Sequence, residues 1–192
     1  MSDEAALVDR LRSGDESAFA ELVGRYQPRL LRVAEATVGS RVLAQEITQD
    51  TWLAVVRGVD RFEGRSSFTT WLFHILLNRA RSAIRREERA GRPAEIATER
   101  FDANGAWIDP PQPWAERIED RLLAEQLAGR IQELLDELPE TQRQVVVLRD
   151  VEGLTPSEVV ELLGVTDGNQ RVLLHRGRAR LRELLAHEVL EA

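Results

Sequence analysis

The sequence predicts an all-α protein: two small helical domains joined by a Pro- and Gly-containing linker, the C-terminal one a helix-turn-helix. Three observations predict it. Apolar residues recur at helical spacing along most of the 192 residues, and no stretch alternates for long with period two. Between about 91 and 114 the pattern stops at Gly91, Pro93, Asn104, Gly105, Pro110, Pro111 and Pro113, a segment that no helix crosses intact. Near the C-terminal end, two apolar-periodic runs are separated only by Gly164 and a short turn.

In chain order, residues 1–92 are expected to form the first domain, 93–114 the linker and 115–192 the second domain. A helix over about 42–58 has Ile47, Leu53 and Val56 as its apolar residues and Glu46, Gln49 and Asp50 as a polar, acidic patch. That patch cannot face DNA; it suits a basic protein partner, with plain solvation as the default alternative. The loop 61–67 (RFEGRSS) follows, in which Ser66 or Ser67 can cap the next helix. That helix, about 68–89, buries Phe68, Leu72, Ile75, Leu76, Ala83 and Ile84. It carries His74, Asn78, Arg81 and Arg85 as a stripe at i, i+4, i+7 and i+11. Trp71 and Phe73 are the residue types that stack on exposed bases, although aromatics at this spacing more often belong to a core. Extended, the linker spans at most about 70 Å. Trp107 and Trp114 within it point to packing on a domain or a partner.

The run 141–151 reads as a helix broken by Gly153. Thr155 then stands as an N-cap, with Pro156 at the first helical position and Glu158 completing a capping box. Val159, Leu162 and Leu163 give this helix its buried side, and Gly164 ends it. Past the turn 165–167, a third helix over about 168–185 takes the place of a recognition helix in a major groove. Asn169 lies at its start; Arg171, His175, Arg178 and Arg182 form a stripe, with Leu174, Leu181 and Leu185 expected on a different face.

Composition narrows the classes. With no cysteine and three scattered histidines (His74, His175, His187), there is no thiolate metal site, no disulfide and no clustered nucleophile and base, so no cofactor, metal or enzymatic activity is expected. No apolar run approaches the roughly 20 residues of a membrane span. The acidic Met-Ser-Asp-Glu start lacks a basic, apolar leader, so a soluble, cytoplasmic protein without membrane insertion is expected. All 26 basic residues are Arg, the better bidentate ligand for phosphate and guanine. The net charge of −7 is unevenly spread: −3 over 1–56, +5 over 57–92, −11 over 93–170 and +2 over 171–192. Two basic islands therefore flank an acidic block within reach of the same phosphates, and the free protein is expected to bind DNA weakly.

The ordered segments resemble those of an extracytoplasmic-function sigma factor of the bacterial sigma-70 family. Residues 44–52 (AQEITQDTW) look like the segment with which such factors grip the clamp coiled coil of RNA polymerase, which implies polymerase contacts for Glu46, Gln49 and Asp50. Residues 62–72 (FEGRSSFTTWL) are similar to the loop and helix start that capture a flipped base of the −10 element, and 78–86 continue as its reading helix. The resemblance thereby implies −10 recognition and melting for Phe62, Arg65, Ser66, Ser67, His74, Asn78, Arg81 and Arg85. Residues 138–148 (LPETQRQVVVL) with the helix-turn-helix resemble the domain that contacts the −35 element and the polymerase flap, implying −35 contacts for Asn169, Arg171, His175, Arg178 and Arg182. One departure is that 168–172 (GNQRV) stands where many members have Thr-Val-Lys-Ser-Arg, so the −35 sequence read does not carry over. The implied partners are core RNA polymerase, promoter DNA and an anti-sigma factor. The alternative of another class is a stand-alone helix-turn-helix regulator with a helical sensor or dimerisation domain, which binds duplex DNA unaided and has no use for single-strand capture at 62–67.

Overall fold

The structure is a computed structural model that describes residues 3–89 and 133–191; the predicted linker and its two tryptophans lie outside the described residues. Every element described is helical. Helix α1 is Asp3–Arg12, α2 is Glu16–Val38 and α3 is Arg41–Gly58. A single 3₁₀ turn at Val59–Arg61 leads to the loop before α4, Phe68–Arg89. After a helical turn at 133–136, α5 is Glu140–Val146 and winds on as a π-helical turn, Val147–Val151. Helix α6, Pro156–Leu163, and α7, Asp167–Glu191, complete the chain.

Local chemistry sets the ends. Asp15 caps α2 by accepting from the backbone N–H groups of Ser17 and Ala18 at 2.9 and 3.3 Å. Hydrogen bonds from Ser17 and then from Arg10 hold its carboxyl down at about 2. Gly39, at φ 64°, ends α2 in the left-handed region, and Ser40 caps α3 one residue later, so the two helices turn back on each other across two residues. The predicted grammar of α6 is present in full: Thr155 as N-cap, Pro156 first, the reciprocal Thr155–Glu158 capping box, and Gly164 at φ 68° as the stop.

Helices α2, α3 and α4 pack face to face through Leu22, Leu30 and Val33, then Ala44, Ile47 and Val55, then Phe68, Leu72, Phe73, Leu76 and Leu77, all buried. Three threonines of α2 and α3 share that core. Thr37, Thr48 and Thr51 are tolerated because each hydroxyl donates to the carbonyl four residues earlier, at 2.7–2.8 Å. Packing decides two points here that the sequence left open. Leu53 and Val56 are 55 and 54% exposed rather than core, because the buried stripe of α3 runs through Ala44, Thr48, Thr51 and Val55 and turns them outward. Phe73 is fully buried and cannot stack on a base.

In the second half, Val145, Val146, Val147 and Leu148 are buried against α7 and continue the same apolar cluster into α2. The two halves therefore touch, where the sequence suggested separated domains. Helix α7 crosses α5 at Gly177, where an added Cβ would lie 2.6 Å from Val146 Cγ2 and 3.4 Å from the Gln142 carbonyl oxygen. Val146 is β-branched and stiff, so it cannot give way. Gly177→Ala should lower unfolding stability by about 1–2 kcal/mol, since the overpacking exceeds what alanine gains in helix propensity. Urea denaturation followed by circular dichroism measures it; a stabilised variant would show that the crossing is looser.

Candidate nucleic-acid and partner interfaces

The loop 62–67 is held from three sides. The Phe62 ring packs edge-on to Phe68 at 5.6 Å and against Trp71 at 5.2 Å, so Trp71 is half-buried in an aromatic cluster rather than free. From α1, Arg12 donates to the carbonyls of Val59 and Phe62. That guanidinium, some fifty residues away in sequence, ties the loop to α1, and no motif announced it. Ser67, not Ser66, caps α4: its Oγ accepts from the Thr70 N–H at 3.0 Å and pairs with the Thr70 hydroxyl at 2.8 Å. Ser66 Oγ donates to the Ser67 carbonyl at 3.3 Å. Gly64 makes the bend at φ 71°, and Arg65 extends into solvent beside Glu63. The result is a small aromatic-walled loop with polar edges, the kind of surface on which an unstacked base is held.

Along α4, Asn78 and Arg85 are exposed. His74 and Arg81 instead meet the second half: His74 Nε2 lies 3.2 Å from Glu161 Oε1, and Arg81 donates to the Leu162 carbonyl as well as to Asn78 Oδ1. Thr70 donates to Glu158 Oε1 at 2.6 Å. Burial pushes the Glu158 carboxyl up, but hydrogen bonds from Thr70, Thr155 and Ser67 outweigh it and leave the group below its ordinary value.

On α3, Glu46, Gln49 and Asp50 are all exposed, with Asp50 3.7 Å from Arg79 of α4. Val42, Leu53 and Val56 lie in line with them, giving an outward stripe Val42, Glu46, Gln49, Leu53, Val56 at i, i+4, i+7, i+11 and i+14. The stripe carries one carboxylate, Glu46, with Asp50 beside it, among apolar side chains, a composition that suits a protein partner better than a phosphate backbone.

On α7, Asn169 and His175 are exposed, and the Thr166 hydroxyl accepts from the Asn169 N–H at 3.2 Å. The expected free basic face is partly neutralised. Arg171 pairs with Asp167 at 2.6 Å, and Arg178 grips both oxygens of Asp150 at 2.9 and 2.5 Å. The hydrogen bond to Asp150 raises the Arg178 pKa. Arg182 Nε donates to the Arg178 carbonyl at 3.3 Å. Leu174, Leu181 and Leu185 line the same groove as Arg171, His175, Arg178 and Arg182, not a separate face. The reason is angular: a three-residue offset on a helix of 100° per residue turns a side chain by only about 60°. Core contact is made by Leu173, Leu174 and Leu181, together with the buried Gln170 and Gly177.

A helix-turn-helix at one end, a second basic helix beside an aromatic loop, and an acidic partner-type face define a helical DNA-binding transcription factor. The sigma-70 region 2 model matches residues 22–90 and the sigma-70 region 4 model residues 128–181. The RNA polymerase sigma factor CarQ of Myxococcus xanthus is 32% identical over 184 residues, covering 96% of this chain and 98% of that protein. The ECF RNA polymerase sigma-E factor of Escherichia coli K12 is 29% identical over 178 residues, 91% of this chain and 90% of that one. In fold, the chain is similar to CnrH in complex with the cytosolic domain of CnrY (TM-score 0.61, 24% identity, 97% of this chain and 99% of that one). It is also similar to the sigma factor RpoE of Bartonella quintana in complex with the anti-sigma factor NepR (TM-score 0.62, 24% identity, 88 and 96%). The chain belongs to the sigma-70 family, among the extracytoplasmic-function sigma factors. The region 2 match over 22–90 covers the segment that the stand-alone-regulator reading assigned to a sensor or dimerisation domain.

Asp150 gives this surface a direct test. Asp150→Asn removes the carboxylate that occupies Arg178, so affinity for non-specific duplex DNA should rise a few-fold and the salt slope should steepen by about one phosphate's worth. Fluorescence anisotropy at three salt concentrations reads both. An unchanged slope would show that Arg178 does not reach DNA.

Proposed function

We propose that this chain binds core RNA polymerase, directs it to promoters by reading −10 and −35 elements, and nucleates strand separation. The observation that carries this is the occurrence, in one chain and in order, of an outward acidic stripe on α3, the aromatic-walled loop before α4 and the helix-turn-helix of α6 and α7. In this reading Glu46, Gln49 and Asp50 meet the basic clamp of the polymerase. Phe62, Arg65, Ser66 and Ser67 receive the extruded base, while His74, Asn78, Arg81 and Arg85 track the adjoining −10 strand. Asn169, Arg171, His175, Arg178 and Arg182 lie toward the −35 duplex. Extracting a base costs about a few kcal/mol, which the aromatic wall and the polar loop edge offset. The factor positions DNA and makes or breaks no bond. It works where polymerase and chromosome are, in the cytoplasm; no helix among the described residues is long and apolar enough to cross a membrane. A regulator of the anti-sigma class is proposed from the similarity in fold to a sigma factor solved with one.

Purified protein should co-elute with core polymerase and support runoff transcription from a cognate promoter; tight promoter binding alone with no core engagement would return the stand-alone regulator. Reversing Glu46→Arg with Asp50→Arg should weaken core binding by several kcal/mol while leaving the fold intact, because both side chains are exposed. Core affinity that does not change in the folded double variant rejects the assignment of α3. Replacing Arg65, Ser66 and Ser67 by Ala should leave closed complexes largely intact and reduce permanganate-reactive open promoter. A pre-melted bubble template should rescue that variant, and lack of rescue gives the loop a different task.

A further inference from the structure

Helix α7 turns one line of side chains into the molecule and, over its first two turns, leaves another facing straight away from it. Gln170, 1% exposed, and Gly177, set against Val146, mark the inward line. At 100° per residue, the opposite line runs through Gly168 and Val172, each about 140–180° round the helix from both. An apolar residue is the unexpected occupant of such a place. Val172 is 43% exposed, which no other large apolar side chain among those described on α7 matches. Gly168, one turn earlier, has no reason within the protein to be glycine: an added Cβ would meet nothing within 4 Å, and its φ is not in the left-handed region. The outward line is therefore bare backbone followed by a methyl-tipped side chain, with the exposed Asn169 and His175 each about 60° to either side of Val172.

The arginines stand off this line on both sides. Arg171, Arg178 and Arg182 lie about 80–120° from Val172 in one direction, and Arg176 and Arg180 about 40–80° in the other. In the first group, Arg171 and Arg178 are already turned toward carboxylates at Asp167 and Asp150 rather than toward the outward line. A narrow apolar and amide ridge between two cationic shoulders has the charge pattern of a major groove in reverse, since the base edges of a groove floor lie between two rows of phosphates. The shoulders suit the phosphates, and the ridge meets the base edges. Of the groups displayed on that floor, the one that offers an apolar contact is the C5-methyl of thymine.

We propose that Val172 is a specificity-determining residue of α7: its methyl groups seat on the C5-methyl of one thymine in the −35 element, and Gly168 leaves the helix backbone room to approach that base pair. This rests on the reading of α7 as the −35 helix. The two kinds of contact divide the work. Arginine on phosphate adds affinity to any sequence and weakens with salt, whereas a methyl-on-methyl contact adds affinity only where a thymine stands.

Holoenzyme assembled from core polymerase and the full-length factor should enrich a defined −35 sequence from duplexes randomised over both promoter elements. In the enriched duplex, each thymine is then replaced in turn by deoxyuridine, which removes the C5-methyl and nothing else. At one position this should weaken wild-type binding about four-fold at fixed salt, the worth of one buried methyl group. Val172→Ser should bind the unmodified duplex about as weakly as the wild type binds that uracil duplex, and should bind the two duplexes alike. Its fold should be intact by circular dichroism, because the side chain is exposed. Uracil sensitivity that persists at every position in folded Val172→Ser, or an enriched element in which no thymine methyl matters, overturns the assignment of Val172 and leaves α7 as the −35 helix. Enrichment of no −35 sequence at all overturns that reading of α7, and the assignment of Val172 with it.

Discussion

A carboxylate with 1% of its surface in contact with solvent has to be neutralised where it sits, and Glu152 is neutralised from across the molecule. Burying such a group costs about several kcal/mol before its partners are counted. Arg29 and Arg32 are three residues apart on α2 and so project from one face, and together they reach both oxygens. Arg29 is itself steadied, with its guanidinium 5.5 Å from the Tyr26 ring centre and 5.7 Å from that of Phe73. The burial of Phe73, which removes it as a base-stacking residue, thus serves to seat the cation that holds Glu152. The placement of α5 against α2 and of α6 against α4 follows from this one cluster and the apolar surface around it.

The same economy of polar groups runs through the first half. Its core admits Thr37, Thr48 and Thr51 because each hydroxyl has a local acceptor. Tyr26 spans α1 and α4 in a similar way. Its hydroxyl donates to Glu4 at 2.5 Å, Thr69 donates to the same carboxylate at 3.3 Å, and burial pushes the phenol pKa up. Arg12 extends α1 to the 62–67 loop. Helix α1 is thereby the brace of the 62–67 loop, and a rigid loop loses less entropy on binding a partner than a free one.

Electrostatics explains how a protein of net charge −7 can be built to work on DNA. The arginines of α7 are not a bare stripe, since carboxylates at Asp167 and Asp150 occupy two of them. Phosphate oxygens compete for such groups only when the protein is held in place by something else, which in a sigma factor is the polymerase. On the proposed reading, weak intrinsic affinity and stronger assisted affinity would come from the same side chains.

Local features were fully legible in the sequence. The helices over 42–58 and 68–89, the capping box at Thr155 and Glu158 and the stop at Gly164 depend on neighbours within about four residues, and they appear as read. So did the family, because its motifs are short and ordered. Which side of a helix meets what was legible only in part: Phe68, Leu72, Leu76, Val159 and Leu162 are buried as read, and others are not as expected. Leu53 and Val56 turned outward, Phe73 turned inward, and Leu174, Leu181 and Leu185 joined the groove of the arginines. An apolar side chain has no partner until another helix arrives, and one sequence pattern fits two faces about 60° apart. The charge tally placed carboxylates near arginines without pairing any. That Glu152 would meet Arg29 and Arg32, more than a hundred residues earlier, was decided only by the packing of α5 on α2, since burial alone makes that pairing obligatory.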